Sequence, residues 1–243
     1  MPLIATYTYL VWSLGLLGMF AVAYMLKPAH RRVALCSAAL SAPYSFLAVV
    51  FVPAYWEPAQ IFRVLVGPED LVFSFANGGM IWILAGAYYA VPEHPWGRTF
   101  CVRCARITAS FLAAWLLLWL AGLPLMWAAL AVGVGLWCFL ISRDLAALPV
   151  SLKCAAVFAA GYTLWLAAIL YANPGFAESW TPDGLVGVTV LGAPLEEALW
   201  AVEFGAVWPL LVAYFLDIEP RRAMVFTASH LEDRAHGTAT SPA

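Results

Sequence analysis

The chain has 243 residues, 64% hydrophobic and only 11% charged, with a formal net charge of −2 and a mean hydropathy of +0.86. Those values exclude a soluble globular domain and point to an all-α integral membrane protein whose surroundings are the lipid bilayer. No nucleic-acid partner is expected.

Apolar stretches long enough for a hydrocarbon core of about 30 Å predict seven spans, at roughly 3–26, 33–53, 69–91, 105–122, 124–142, 150–172 and 195–217. The first lacks a basic leader, and its apolar run is too long for the core of a secretion signal, so it is expected to remain as a helix. The fourth and fifth are divided only around Pro124. Lys and Arg in short loops collect on the cytoplasmic side. With the N-terminus outside, eleven of the twelve basic residues fall inside and only Arg63 faces out. The reading is therefore a multi-pass protein of the plasma membrane with a cytoplasmic C-terminus. The polar stretch 221–243 has too little apolar content to fold alone and is expected to be a disordered cytoplasmic tail.

Before the third span stands "YWEPAQIFRVLVGPEDLVFSFANGG" from Tyr55, and before the seventh "SWTPDGLVGVTVLGAPLEEALWAVEFGA" from Ser179. Both read Trp-x-Pro, an apolar connector, Pro with paired acids, then a long apolar helix. Their order and their matching places in the two halves suggest duplication. One membrane domain over 1–220 would then hold repeat one (1–92), a linking helix (105–122) and repeat two (124–218). The linking helix returns the chain to the starting side, so the copies run parallel.

In this alignment Glu69 matches Glu196 and Asp70 matches Glu197. Pro68 and Pro194 suit a helix start, and acids there gain from the helix dipole, about 0.3–1 kcal/mol per charge. That alone would account for acids in a solvated first turn. The connectors are too apolar for solvated loops, however, and hint at segments folded back over the acids. Glu203 lies two turns beyond Glu196 on the same face, where an ionised group meets a penalty of roughly 2.5–3.5 kcal/mol. In the first copy the deeper polar groups are Ser74 and Asn77, and Ala76 takes the place of Glu203. Acids inside a membrane are functional candidates by default.

A carboxyl in a low-dielectric pocket resists ionisation, and an acid beside it adds to that resistance, so such a site can donate a proton and take one back. This suits acid–base isomerisation of an apolar substrate, and equally proton or ion transport. Phe73, Phe75 and Phe204, with Trp200 one turn below Glu196, follow the acids, and ring faces stabilise a carbocation without offering it a nucleophile. Interfacial belts and lipid-facing packing account for most of the 12 tryptophans and for at least half of the aromatics after the acids, which leaves Phe73 and Trp200, each four residues after an acid, as the specific candidates.

At these residues the sequence resembles the membrane lycopene cyclases of the heterodimeric or fused type. "PLEEALW" from Pro194 matches their Pro-x-Glu-Glu signature; "GPEDLVFSFANGG" differs in placing Pro68 directly before Glu69. The resemblance implies a cofactor-independent cyclisation, in which a protonated carboxyl attacks the terminal double bond of an acyclic carotenoid, the cation closes a six-membered ring and a base removes a proton. It carries the signature onto Glu69, Asp70, Glu196 and Glu197, with Glu196 and Glu69 foremost for proton transfer and the donor undecided between them. A homo-oligomer stays open.

A flavin is not expected: "GVG" at Gly133 lies mid-span, with no strand-turn-helix around it, and reads as helix packing. The pair Cys101 and Cys104 lacks partners for a metal site, and none is expected. A retinal protein needs a lysine inside the last helix, and the only lysines are Lys27 and Lys153. A prenyltransferase needs Asp-rich magnesium motifs that the chain lacks. The alternatives that remain are a membrane terpene cyclase for a shorter isoprenoid and a proton- or ion-coupled transporter.

Overall fold

A computed structural model describes residues 7–62, 64–89 and 98–218. Its seven helices long and apolar enough to cross a membrane are α1 (Thr8–Leu26), α2 (Pro28–Phe51), α3 (Pro68–Ala85), α4 (Arg98–Leu120), α5 (Leu125–Arg143), α6 (Leu148–Ala172) and α7 (Leu195–Leu216). The protein is thus an all-α, multi-pass membrane protein. The expected tail 221–243 and the basic residues Arg63, Arg221, Arg222 and Arg234 lie outside the described residues.

Two helices differ from expectation in ways that have local causes. α2 is broken by a 3-10 stretch over Ala42–Leu47, where Pro43 cannot donate to the helical ladder. α4 starts at Arg98, ahead of the expected 105. Arginine can be carried inside a helix end when its head finds polar partners. The Arg103 guanidinium donates to the Tyr214 carbonyl at 2.9 Å and to Asp217 at 2.6 Å, just beyond the last turn of α7.

Between α3 and its neighbours, small residues set the spacing, as expected where lipid removes the hydrophobic drive between helices. α3 packs on α1 and α2, α7 packs on α5 and α6, and α3 and α7 touch each other. The paired glycines of the sequence sit at these crossings. A Cβ on Gly78 would collide with Ser41 of α2, and one on Gly79 with Phe20 of α1. In the other half, a Cβ on Gly205 would come within 2.9 Å of backbone atoms of Cys154 and Ala155 on α6.

Similar polar clips fasten both groups. Trp208 Nε1 donates to Ser37 Oγ at 2.9 Å, and that hydroxyl donates to the Gly78 carbonyl at 2.6 Å. Trp137 Nε1 donates to Ser151 Oγ at 2.8 Å, and that hydroxyl donates to the Ala206 carbonyl at 2.9 Å.

The connector before α7 contains a small hairpin that the sequence reading did not foresee. β1 (Thr189–Val190) pairs antiparallel with β2 (Ala193–Pro194) around Leu191 and Gly192. Both turn residues have positive φ, 54° and 87°, as a two-residue hairpin loop requires. The tertiary contacts gather the starts of α1, α3 and α7 and the end of α6 at one end of the bundle. Tyr9 meets Asp70, and Asn173 donates to Thr8 at 2.6 Å.

Candidate active site

Glu69 and Asp70 fill the first turn of α3, and Glu196 and Glu197 the first turn of α7. Neighbouring helix positions project about 100° apart, so the two members of each pair take different partners. The Ile61 N–H donates to Glu69 Oε1 at 2.7 Å, and the Val186 N–H donates to Glu196 Oε1 at 2.7 Å. Both glutamates are fully buried, and each draws its connector back over the start of its helix. Neither lines the central cavity.

Asp70 and Glu197 do line it. Asp70 Oδ1 accepts from the Tyr9 hydroxyl at 2.7 Å, and its Oδ2 accepts from Gln60 Nε2 at 2.9 Å and from the Gly67 N–H at 2.7 Å. Glu197 Oε1 accepts from the Tyr55 hydroxyl at 3.0 Å and from Trp180 Nε1 at 3.1 Å, while Oε2 accepts from the Tyr162 hydroxyl at 2.7 Å. A carboxyl group offers about four acceptor positions. In both acids the position left open is on the oxygen that a single tyrosine holds, Asp70 Oδ1 and Glu197 Oε2. Burial, and then the adjacent Glu197 carboxyl, push the Tyr55 phenol far above its usual range. Tyr55 therefore serves as a hydrogen-bond donor that keeps its proton.

The cavity has a volume of ≈ 260 Å³, just under the roughly 300–1,000 Å³ of pockets that enclose drug-sized ligands. It matches one end of a long molecule, or a short molecule entire, better than the whole of a long one. Its upper wall is aromatic. Phe73 and Trp200, each four residues after the first acid of its pair, stack with centroids 5.8 Å apart. Trp12 packs on Phe73 at 5.2 Å and Tyr162 on Trp200 at 5.2 Å. Below them Trp200, Phe204 and Trp208, spaced four apart on α7, stack at 5.1 and 5.3 Å.

Glu203 and Asn77 line the deeper part of the same cavity. Glu203 shares this space with Glu197 rather than with Glu196, whose carboxylate is drawn to the Val186 amide. The Glu203 carboxyl fits only because residue 133 is glycine, since a Cβ there would collide with it. Phe75 lies elsewhere. It packs on Phe20 at 5.9 Å, between α3 and α1, and is absent from the cavity wall.

The donors to the acids went unread in the sequence. Trp180 belongs to the Trp-x-Pro motif and Tyr55 adjoins its other copy, so the motif itself held that signal. Tyr9 and Tyr162 come from distant helices, and no spacing links either to its acid. Among the described residues, no three His, Cys, Asp or Glu side chains are grouped to hold a metal.

The chemistry available is thus a pair of buried, well-donated carboxyls facing an apolar, aromatic space. No protein-family model, curated protein or solved structure matches the chain, so the case for its function rests on this geometry and on the sequence signature.

Proposed function

We propose that the protein is a cofactor-independent isoprenoid cyclase of the lycopene cyclase type, seated in the plasma membrane with its N-terminus and its paired acids at the outer face. Two related three-helix copies would then frame one site. Support for the duplication comes from the matched roles of Glu69 and Glu196, of Asp70 and Glu197, and of the two serine clips. The observation that carries the function is that Asp70 and Glu197 enter one aromatic cavity, each with a single acceptor position open.

In this reading one of the two carboxyls is protonated at its open position. Its O–H bond breaks, and the proton adds to one carbon of the terminal double bond, whose electron pair forms the new C–H bond. The cation left on the other carbon is attacked by a second double bond, closing a six-membered ring and moving the charge into it. The other carboxyl, as carboxylate, takes a ring proton, and that C–H pair becomes the new double bond. Substrate and product are isomers, and a proton returns to the first carboxylate between turnovers. Phe73, Trp12 and Trp200 would face the cation. Glu69 and Glu196 would act one step back, as positioning residues that hold the connectors.

Expression in a lycopene-accumulating bacterial host, with chromatography of the pigments, tests the reading. Cyclic carotenoid from the wild type, and lycopene alone from Asp70→Asn and Glu197→Gln variants that insert normally, are expected. The loss should match the roughly 10²- to 10⁴-fold that one acid–base group supplies. Lycopene unchanged by inserted wild type would remove it as the substrate and direct assays to shorter isoprenoids, then to proton flux in vesicles.

A further inference from the structure

Below the aromatic wall, the cavity changes character. Asn77 on α3 is fully buried and lines it, yet among the described residues neither its amide nitrogen nor its amide oxygen finds a partner. The buried Ser45 hydroxyl and Glu203 Oε2, on the same wall, also lack one. Leaving a buried amide unpaired costs about 1–3 kcal/mol, and packing one into a slot for pure hydrocarbon would carry that penalty in every bound state.

We propose that Asn77, Glu203 and Ser45 form a subsite for a hydroxyl group, so that the cavity takes an acyclic isoprenoid alcohol in preference to the bare hydrocarbon. This rests on the cyclase reading and narrows its substrate class. A hydroxyl both donates and accepts, so it can donate a hydrogen bond to the Glu203 carboxyl and accept one from the Asn77 amide nitrogen at the same time. Asn77 follows Asp70 by seven residues and Glu203 follows Glu197 by six, which puts the subsite about 10 Å along the helices from the acids. The alcohol would therefore sit at the far end of a short isoprenoid whose terminal double bond lies against Asp70 and Glu197. A diphosphate ester does not suit the site: among the described residues no Lys, Arg or His lines the cavity to neutralise it.

The test is saturable binding to the full chain in phosphatidylcholine nanodiscs, read by quenching of tryptophan fluorescence, with farnesol, the hydrocarbon of the same skeleton and farnesyl diphosphate as probes. Farnesol is expected to bind about tenfold more tightly than the hydrocarbon, the gain of one hydrogen-bonded group, with the diphosphate weakest. Asn77→Leu should abolish the preference and keep hydrocarbon binding, which also shows that the variant is folded. Should that variant fail to insert, Glu203→Leu carries the same expectation. Equal or tighter binding of the hydrocarbon, tighter binding of the diphosphate, or an unchanged preference in the variants would overturn the subsite. Because binding is read without turnover, failure of the cyclase reading shows separately, as farnesol bound with preference but never cyclised.

Discussion

Trp56 and Trp180 face each other across an antiparallel bridge, with their rings 6.0 Å apart. The flanking hydrogen bonds are mirror equivalents: the Glu57 N–H donates to the Ser179 carbonyl at 2.6 Å, and the Thr181 N–H to the Tyr55 carbonyl at 2.8 Å. The two tryptophans nevertheless serve the acids differently. Trp180 donates directly to Glu197, whereas Trp56 packs edge-on against Tyr9 at 4.6 Å, the ring whose hydroxyl holds Asp70. Trp180→Phe keeps a ring but removes the donor, so product per inserted protein should fall at least about tenfold, the scale of a hydrogen bond to a charged group. Trp56→Phe should lower it far less. Equal losses would show that ring packing, not the indole N–H, matters at residue 180.

Glutamine substitutions separate the acids that hold the connectors from the two proposed to react. Gln retains a carbonyl oxygen that can accept from the Ile61 or Val186 amide, but it cannot exchange a proton. Glu69→Gln and Glu196→Gln should therefore keep most of the activity, while Glu69→Ala and Glu196→Ala free the connectors and lose it. Protease access to the connectors at intact membranes reads the same difference independently. Abolition of activity by both Gln variants, with connectors still protected, would return Glu69 and Glu196 to proton transfer.

How far the sequence foretold this arrangement depended on the range of the signal. Apolar run length located all seven helices, because the bilayer imposes one thickness on each. Local alignment of "GPED" with "PLEE" brought out the paired acids, and helical spacing placed Phe73 and Trp200 beneath them. Which acid of each pair faces the cavity was not legible, since that turns on hydrogen bonds from Ile61, Val186, Tyr9 and Tyr162, all set by tertiary packing. Phe75 was legible by the same spacing: it lies two residues, about 200° of helix, from Phe73, and so turns away from the cavity toward Phe20. The break in α2 was legible in Pro43 and went unread because the run stays apolar through it.

At the helix crossings, Gly78→Ala and Gly205→Ala should each destabilise the protein by about 1–3 kcal/mol, the usual cost of overpacking. A Cβ at either position has no flexible side-chain tip to push aside: it meets Ser41 near its backbone in one case and the α6 backbone in the other. The thermal midpoint in detergent should drop for both. Gly18→Ala, which meets nothing within 4 Å, is the control expected to hold its midpoint. An unchanged midpoint for Gly205→Ala would mean that α6 and α7 can separate at no cost.

Gly133 is the position where packing and the site meet. A methyl group there would occupy the space of the Glu203 carboxyl, so Gly133→Ala must turn that side chain out of its place. Gly135, two residues on, has nothing within 4 Å of an added Cβ, and Gly135→Ala should be silent. The expected result for Gly133→Ala is a protein that inserts normally, keeps Asp70 and Glu197 undisturbed, and loses the preference for an alcohol over its hydrocarbon. The double variant Gly133→Ala, Glu203→Ala makes the reason testable. Removing the carboxyl relieves the collision, so the thermal midpoint lost with the first change should return while the alcohol preference does not. If the midpoint stays low in the double variant, the collision lies with the backbone of α7 and not with Glu203.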